Sequence, residues 1–105
     1  MNIQEILANP KTHPIPESDA DKLMICKEIA AAAKEEDIEN CLEFAVRISD
    51  VCTYYVATGL YRKFGKKVSS LVWWKKFFLE KMSDTNDRKE MDRKLREMKI
   101  AISTM

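Results

Sequence analysis

Hydrophobic residues recur with a helical period through the middle of the chain, from residue 38 to residue 64. Their steps of three and four keep one face of an α-helix apolar. These positions are Ile38, Cys41, Leu42, Ala45, Val46, Ile48, Cys52, Tyr55, Val56, Gly59, Leu60 and Phe64. Asp37 could cap the start of this helix, and Gly65 could end it in a left-handed conformation. We predict one long central helix over about 38–64; the alternative is a split at Ser49-Asp50, because both residues favour helix starts.

Two shorter helices are predicted before the central one. Asn2, with Glu5 three residues later, has the capping-box pattern of a short first helix, which Pro10 ends. Residues 10–17 contain three prolines and should form an extended loop. Ser18 opens the second helix, and its run of four alanines would allow another helix to approach closely.

Two more helices are predicted after Gly65. Ser69 or Ser70 could cap an aromatic helix over about 69–82, whose apolar residues cover about half of its circumference, with Val72 and Leu79 on the far side. An amphipathic helix over about 86–103 follows, with a narrow apolar seam. The seam consists of Met91, Leu95, Met98, Ile102 and Met105. Each helix is either wedged within the bundle or paired with another molecule.

The composition is that of an all-α protein. Two glycines and three prolines in 105 residues are too few for a turn-rich β-sandwich. We therefore predict a single domain over 1–105, a compact bundle of four to five helices around the central helix. The three cysteines are odd in number and lie on helical stripes, which is typical of reduced core thiols in a cytoplasmic protein. The sequence also has no apolar run long enough to cross a membrane.

The net charge of +1 conceals two oppositely charged halves. Residues 1–50 carry eleven acidic and five basic side chains, a net charge of −6, whereas residues 51–105 carry thirteen basic and six acidic ones, a net charge of +7. Either the halves lie side by side and neutralise each other, or one end of the fold presents a basic face to an anionic partner.

The sequence lacks the residue constellations that catalysis uses. The glycines stand alone, so no phosphate-binding loop is formed. His13, the only histidine, lies in the proline-containing loop without a neighbouring cysteine or histidine. Glu35, Glu39 and Glu43 share a helical face, which more often is simply solvated. We therefore predict no enzyme activity, no metal site and no cofactor.

The excess of apolar surface favours a non-catalytic protein-protein interaction module. Such a module would be a small regulator, inhibitor or assembly subunit that acts on a larger protein, and it could also form a homodimer through the same surfaces. The candidate contact residues are Trp73, Trp74, Phe77, Phe78, Met91, Leu95 and Met98. An acidic patch could instead occupy a basic groove in place of a phosphate backbone, as small helical proteins of mobile elements or phages do; it comprises Glu28, Glu35, Glu36, Asp37, Glu39 and Glu43.

Nucleic-acid binding is the alternative, based on the basic and aromatic segment 62–81. Basic side chains neutralise phosphates, and aromatic rings stack on unpaired bases. The candidate residues are Arg62, Lys63, Lys66, Lys67, Lys75 and Lys76. The segment resembles a helix-turn-helix, with Leu60 and Phe64 before Gly65 and with Leu71 and Trp74 after it. The resemblance implies a regulatory protein that reads nucleic acid with this corner.

Overall fold

The computed structural model describes residues 3–81 and 85–103, which form seven α-helices, one turn of 3-10 helix and no strand. The elements are α1 Ile3–Ala8, α2 Asp19–Ala32, a 3-10 turn Glu35–Asp37, α3 Ile38–Ile48, α4 Asp50–Phe64, α5 Lys66–Ser69, α6 Val72–Lys81 and α7 Thr85–Ser103. The predicted all-α bundle is confirmed. The cap at Asn2 and the predicted residues 82 and 105 lie outside the described part of the chain.

The central element is two helices, so the prediction of one helix over 38–64 is wrong and the alternative split is what the chain adopts. Ser49 has an extended backbone, with φ −174° and ψ 167°, between α3 and α4. Its backbone N–H donates to the carbonyl of Ala45 at 3.3 Å, and its Oγ accepts from the backbone N–H of Cys52 at 3.1 Å. One serine therefore ends α3 and caps α4, which satisfies the backbone groups that a break leaves without partners.

The other capping residues give a mixed result. Ser18 Oγ accepts from the backbone N–H of Asp21 at 3.1 Å, as predicted. Gly65 has φ +61°, a left-handed value that a residue without a Cβ adopts readily, and it ends α4 as predicted. The prediction that Asp37 caps the central helix is wrong, because its carboxylate accepts from the backbone N–H of Lys34 at 3.0 Å and so caps the 3-10 turn before α3.

The aromatic helix begins later than predicted. α6 starts at Val72, and a single separate turn, α5, fills the gap after Gly65. The hydroxyl of Ser70 donates back to the carbonyl of Lys66, and thus it serves the end of α5 rather than the start of α6. Together with the break at Ser49, this extra turn accounts for seven helices where four to five were predicted. The C-terminal helix lies where it was predicted.

The main core lies between α1, α2, α3, α4 and α5. Phe44 is the largest of the fully buried side chains, and Leu42, Val56 and Leu60 are also buried there. α2 and α4 approach closely, as the alanine run predicted: a Cβ placed on Gly59 would lie 3.6 Å from the Cβ of Ala30. No helix in the described ranges is long and apolar enough to cross a membrane.

Candidate protein-contact surface

The inner face of α6 is a set of stacked aromatic rings. Trp74 stacks on Tyr61 of α4 with ring centroids 5.4 Å apart, and Phe78 lies 4.4 Å from Trp74 and 6.4 Å from Tyr54. On the adjoining side, Trp73 stacks on Phe77 at 5.2 Å. The contacts of Phe78 with Tyr54 and of Trp74 with Tyr61 hold α6 against α4, because such aromatic pairs contribute energy beyond their buried area.

A second, smaller core joins α6 to α7. Phe77 is 8% exposed and Met91 of α7 is 9% exposed, and the two side chains form one cluster with Val51, Tyr54 and neighbouring rings. α6 is therefore wedged between α4 and α7, one of the two arrangements that the sequence allowed.

The predicted contact residues are thus placed mainly inside this wedge. Trp73, Trp74 and Phe78 are half-buried, and so is Leu95 on α7. The side chain of Met98 lies outside the described part of the structure. These residues hold α6 in position. Trp73 and Phe77 also line a groove, and those parts of the two rings are open to a partner.

The exposed apolar residues of α6 lie on its other side. Val72 is 81% exposed and Leu79 is 71% exposed. They are seven residues apart, which places them two turns apart on one line along the helix, with Lys75 and Lys76 between them. We call these four residues the α6 strip.

A groove of about 240 Å³ separates α6 from the junction of α3 and α4. Trp73 and Phe77 contribute its aromatic lining, and Val46, which is 50% exposed, lies on the α3 side. Charged side chains complete the rim, namely Asp50, Lys76 and Glu80. The groove lies at the break at Ser49, since Val46 precedes that residue by three positions and Asp50 follows it directly.

The six predicted nucleic-acid-binding residues divide into two groups. Lys63 Nζ donates to the carbonyls of Ala31 and Ala33 at 2.7 and 2.6 Å and so caps the end of α2. Lys67 forms an ion pair with Glu35 at 2.8 Å, which links the basic and acidic halves of the chain.

The remaining four, Arg62, Lys66, Lys75 and Lys76, are exposed and have no hydrogen-bond or ion-pair partner among the described residues. The turn after Gly65 differs from the predicted corner, because α5 starts immediately and Ser69 lies at its end.

The cysteines are free and buried, as predicted for core thiols. Burial raises the pKa of Cys41 to about 12, and the negative charge of Asp37 acts in the same direction. A hydrogen bond with the thiol of Cys52, and then burial, raises the pKa of Cys26, while the same hydrogen bond lowers the pKa of Cys52. A reactive cysteine needs an accessible thiolate, and no substrate can reach these three side chains.

Within the described residues, no three histidine, cysteine, aspartate or glutamate side chains are grouped in a way that could hold a metal ion. His13 lies with its ring edge towards Phe44 at 5.9 Å, and its Nδ1 is 3.0 Å from the carbonyl of Pro14. Neither the ring of Phe44 nor the carbonyl of Pro14 forms a proton-transfer pair with His13.

Comparison of the chain with protein-family models, with curated proteins and with solved structures gives no match. The contact surface is therefore interpreted from its own geometry. The sequence places Val72 and Leu79 opposite the aromatic face, whereas the predicted contact residues of α6 lie on the aromatic face itself. The prediction that Val46 lies on the inward face of the central helix is wrong, because Val46 is 50% exposed. The sequence feature that indicates this surface is that Val72 and Leu79 share one face of the helix with Lys75 and Lys76.

Proposed function

We propose that this protein is a non-catalytic protein-protein interaction module. Its contact surface consists of the α6 strip and the groove between α6 and the junction of α3 and α4. The observation that carries the proposal is the exposure of two large apolar side chains of α6, Val72 and Leu79, together with the exposed Val46 at the groove. Large apolar side chains grouped on a surface typically mark a site that another molecule covers.

The packing beneath this surface supports a binding role. The rings of α6 are held from below by Tyr54 and Tyr61 of α4, and the helix is flanked by Met91 of α7. A contact helix supported in this way loses little conformational freedom when a partner binds, and that lowers the cost of association.

The proposed biological role is that of a small regulator, inhibitor or assembly subunit that acts on a larger protein. The proposal includes a cytoplasmic location, supported by three buried free thiols. It includes no catalytic activity. Among the described residues, the groups with shifted pKa values are three buried thiols, the exposed pair of Glu90 and Arg93 on α7, and Tyr54, whose pKa is raised by burial.

Substitution of the strip should abolish partner binding without unfolding the chain. In a pull-down from the native host, the tagged wild-type chain should recover a partner protein that the Leu79→Asp chain does not recover. Leu79 is 71% exposed, so the substitution removes contact area and adds a charge at little cost to the fold. Val72→Asp should act in the same direction.

Met24→Asp is the matched control, because Met24 is 54% exposed but lies on α2, away from the groove. This variant should recover the same partner as the wild-type chain. Equal recovery by the Leu79→Asp chain would contradict the proposal, and so would loss of recovery in the Met24→Asp chain alone.

Nucleic-acid binding is the second candidate. It is favoured by the four exposed basic residues and by Tyr61, which is 45% exposed and stacked on Trp74. If the protein binds nucleic acid, it should be retained on a DNA column, and this retention should fall steeply as the salt concentration rises. The double variant Lys66→Glu, Lys75→Glu should then lose the retention. Lys67→Glu should reduce the retention less, because Lys67 is already paired with Glu35. Because we propose protein contact, we expect no such retention at physiological salt.

A further inference from the structure

We infer that the α6 strip binds an acidic amphipathic helix of the partner protein. The inference rests on the proposed function, since it uses the same contact surface and names the chemistry of the partner segment that covers it.

The chain around the strip carries positive charge without negative charge. Residues 51–79 include six basic side chains and no acidic one. Two of the six are used within the molecule, since Lys63 caps α2 and Lys67 pairs with Glu35. The other four are exposed, namely Arg62, Lys66, Lys75 and Lys76. The end of α4, α5 and most of α6 therefore attract an anionic partner.

The two lysines of the α6 strip have different surroundings. Lys76 lines the groove together with Asp50 and Glu80, so its charge is partly balanced within the chain. Lys75 lies on the opposite border of the strip, because its neighbours one turn away along α6 include Phe78. The border with Lys75 is the one at which a partner's carboxylates would be bound.

Two further cations lie near that border. The guanidinium of Arg88, on α7, is 5.8 Å from the centre of the Phe78 ring. The charge of Arg62, on α4, acts on Tyr54, whose ring contacts Phe78. Asp92 of α7 is also close to Tyr54, and its carboxylate accepts a hydrogen bond from the tyrosine hydroxyl. The exposed cations of three helices thus converge on one side of the strip.

Val72 and Leu79 give the strip an apolar centre. They are 81% and 71% exposed, and they lie two turns apart, about 10 Å along the helix axis. A partner helix that lies along α6 presents its own side chains with the same two-turn spacing, so its apolar face can cover both residues. Carboxylates beside that apolar face would then meet the basic side chains at the border of the strip.

The contacts of the aromatic rings favour an acidic helix over a nucleic-acid strand. Trp74 has Tyr61 at 5.4 Å and Phe78 at 4.4 Å, so these neighbours already cover much of its ring. Stacking on unpaired bases needs ring faces that are open. A strand bound through its phosphates would also leave Val72 and Leu79 without apolar partners, whereas an amphipathic helix covers them.

Fluorescence anisotropy with two labelled peptides tests the inference. Both peptides have the same length and the same leucines along one helical face, but one carries glutamate and the other carries lysine at the flanking positions. The full wild-type chain should bind the glutamate peptide with a Kd below about 1 mM, the weak end of specific association. It should bind the lysine peptide at least about tenfold more weakly, and added salt should reduce this difference.

Reversal of one charge on α6 should exchange the preference. Lys75→Glu should weaken binding of the glutamate peptide by about tenfold, because an attractive pair becomes a repulsive one. The same variant should bind the lysine peptide more tightly than the wild-type chain does, and this gain excludes misfolding as the cause of the loss. Lys27→Glu, the matched charge reversal on α2, should leave both affinities unchanged.

Equal affinity of the wild-type chain for the two peptides, or no binding of either one up to about 1 mM, would overturn the inference. So would a Lys75→Glu chain that keeps its full affinity for the glutamate peptide. Tighter binding of a single-stranded oligothymidylate than of the glutamate peptide at physiological salt would assign the surface to nucleic acid instead. The pull-down with Leu79→Asp reports a native partner whatever its charge, so the proposed function can hold when this inference fails.

Discussion

Replacing Phe77 with alanine should lower the free energy of unfolding by about 3 kcal/mol, at the lower end of the range for a buried phenylalanine. Phe77 is 8% exposed, stacks on Trp73 at 5.2 Å and meets the ring of Phe78 edge-on at 5.4 Å. It also packs against Met91, so its removal leaves a cavity between α6 and α7. Urea denaturation followed by circular dichroism measures the change.

Leu79→Ala is the matched control on the same helix. Leu79 is 71% exposed, and its truncation should change the free energy of unfolding by no more than about 0.5 kcal/mol. A stable Phe77→Ala chain, or an equal loss in both variants, would contradict the division of α6 into a supporting face and a contact face. The comparison also shows why binding should be tested at Leu79 and not at the aromatic rings, whose removal alters the fold.

Replacing Gly59 with leucine should lower the free energy of unfolding by about 2 to 3 kcal/mol. A Cβ on Gly59 would lie 3.6 Å from the Cβ of Ala30, which is ordinary van der Waals contact. Since the Cβ position already contacts Ala30 on α2, the further three carbon atoms of leucine would crowd α2, and we expect the two helices to move apart. The same denaturation measurement applies.

Gly59→Ala separates crowding from other effects of the substitution. Its single Cβ fits at 3.6 Å, and alanine is favoured over glycine within a helix by up to about 1 kcal/mol. We therefore expect this variant to be as stable as the wild type or more stable. If leucine were tolerated as well as alanine, the close approach of α2 and α4 would be refuted.

The position of α6 links these stability effects to the proposed function. Tyr54, Tyr61 and Met91 hold the rings of α6 on one side, and this support presents Val72 and Leu79 on the other. A loss of support at Phe77 should therefore weaken partner binding indirectly, whereas a substitution at Leu79 should weaken it directly.

Local patterns were sufficient for the helices and several of their ends. The cap at Ser18, the left-handed termination at Gly65 and the close contact made by the alanine run depend on neighbouring residues or on residue size, and each could be read from a short stretch. At Ser49, where two local signals competed, the prediction was wrong. The apolar period favoured an unbroken central helix, but the hydroxyl of Ser49 satisfies the start of a new one.

The sequence by itself determined that the chain is all-α, which residues share each helical face, and that Val72 and Leu79 lie opposite the rings of α6. Only the tertiary structure decided which of those faces is covered. A helical wheel shows which residues point together but not which neighbour lies over them, because that depends on contacts between residues far apart in the chain. Tyr61 and Met91 cover the tryptophan face, and so the proposed contact surface is on the opposite side of α6, at Val72 and Leu79, and along the groove with Val46.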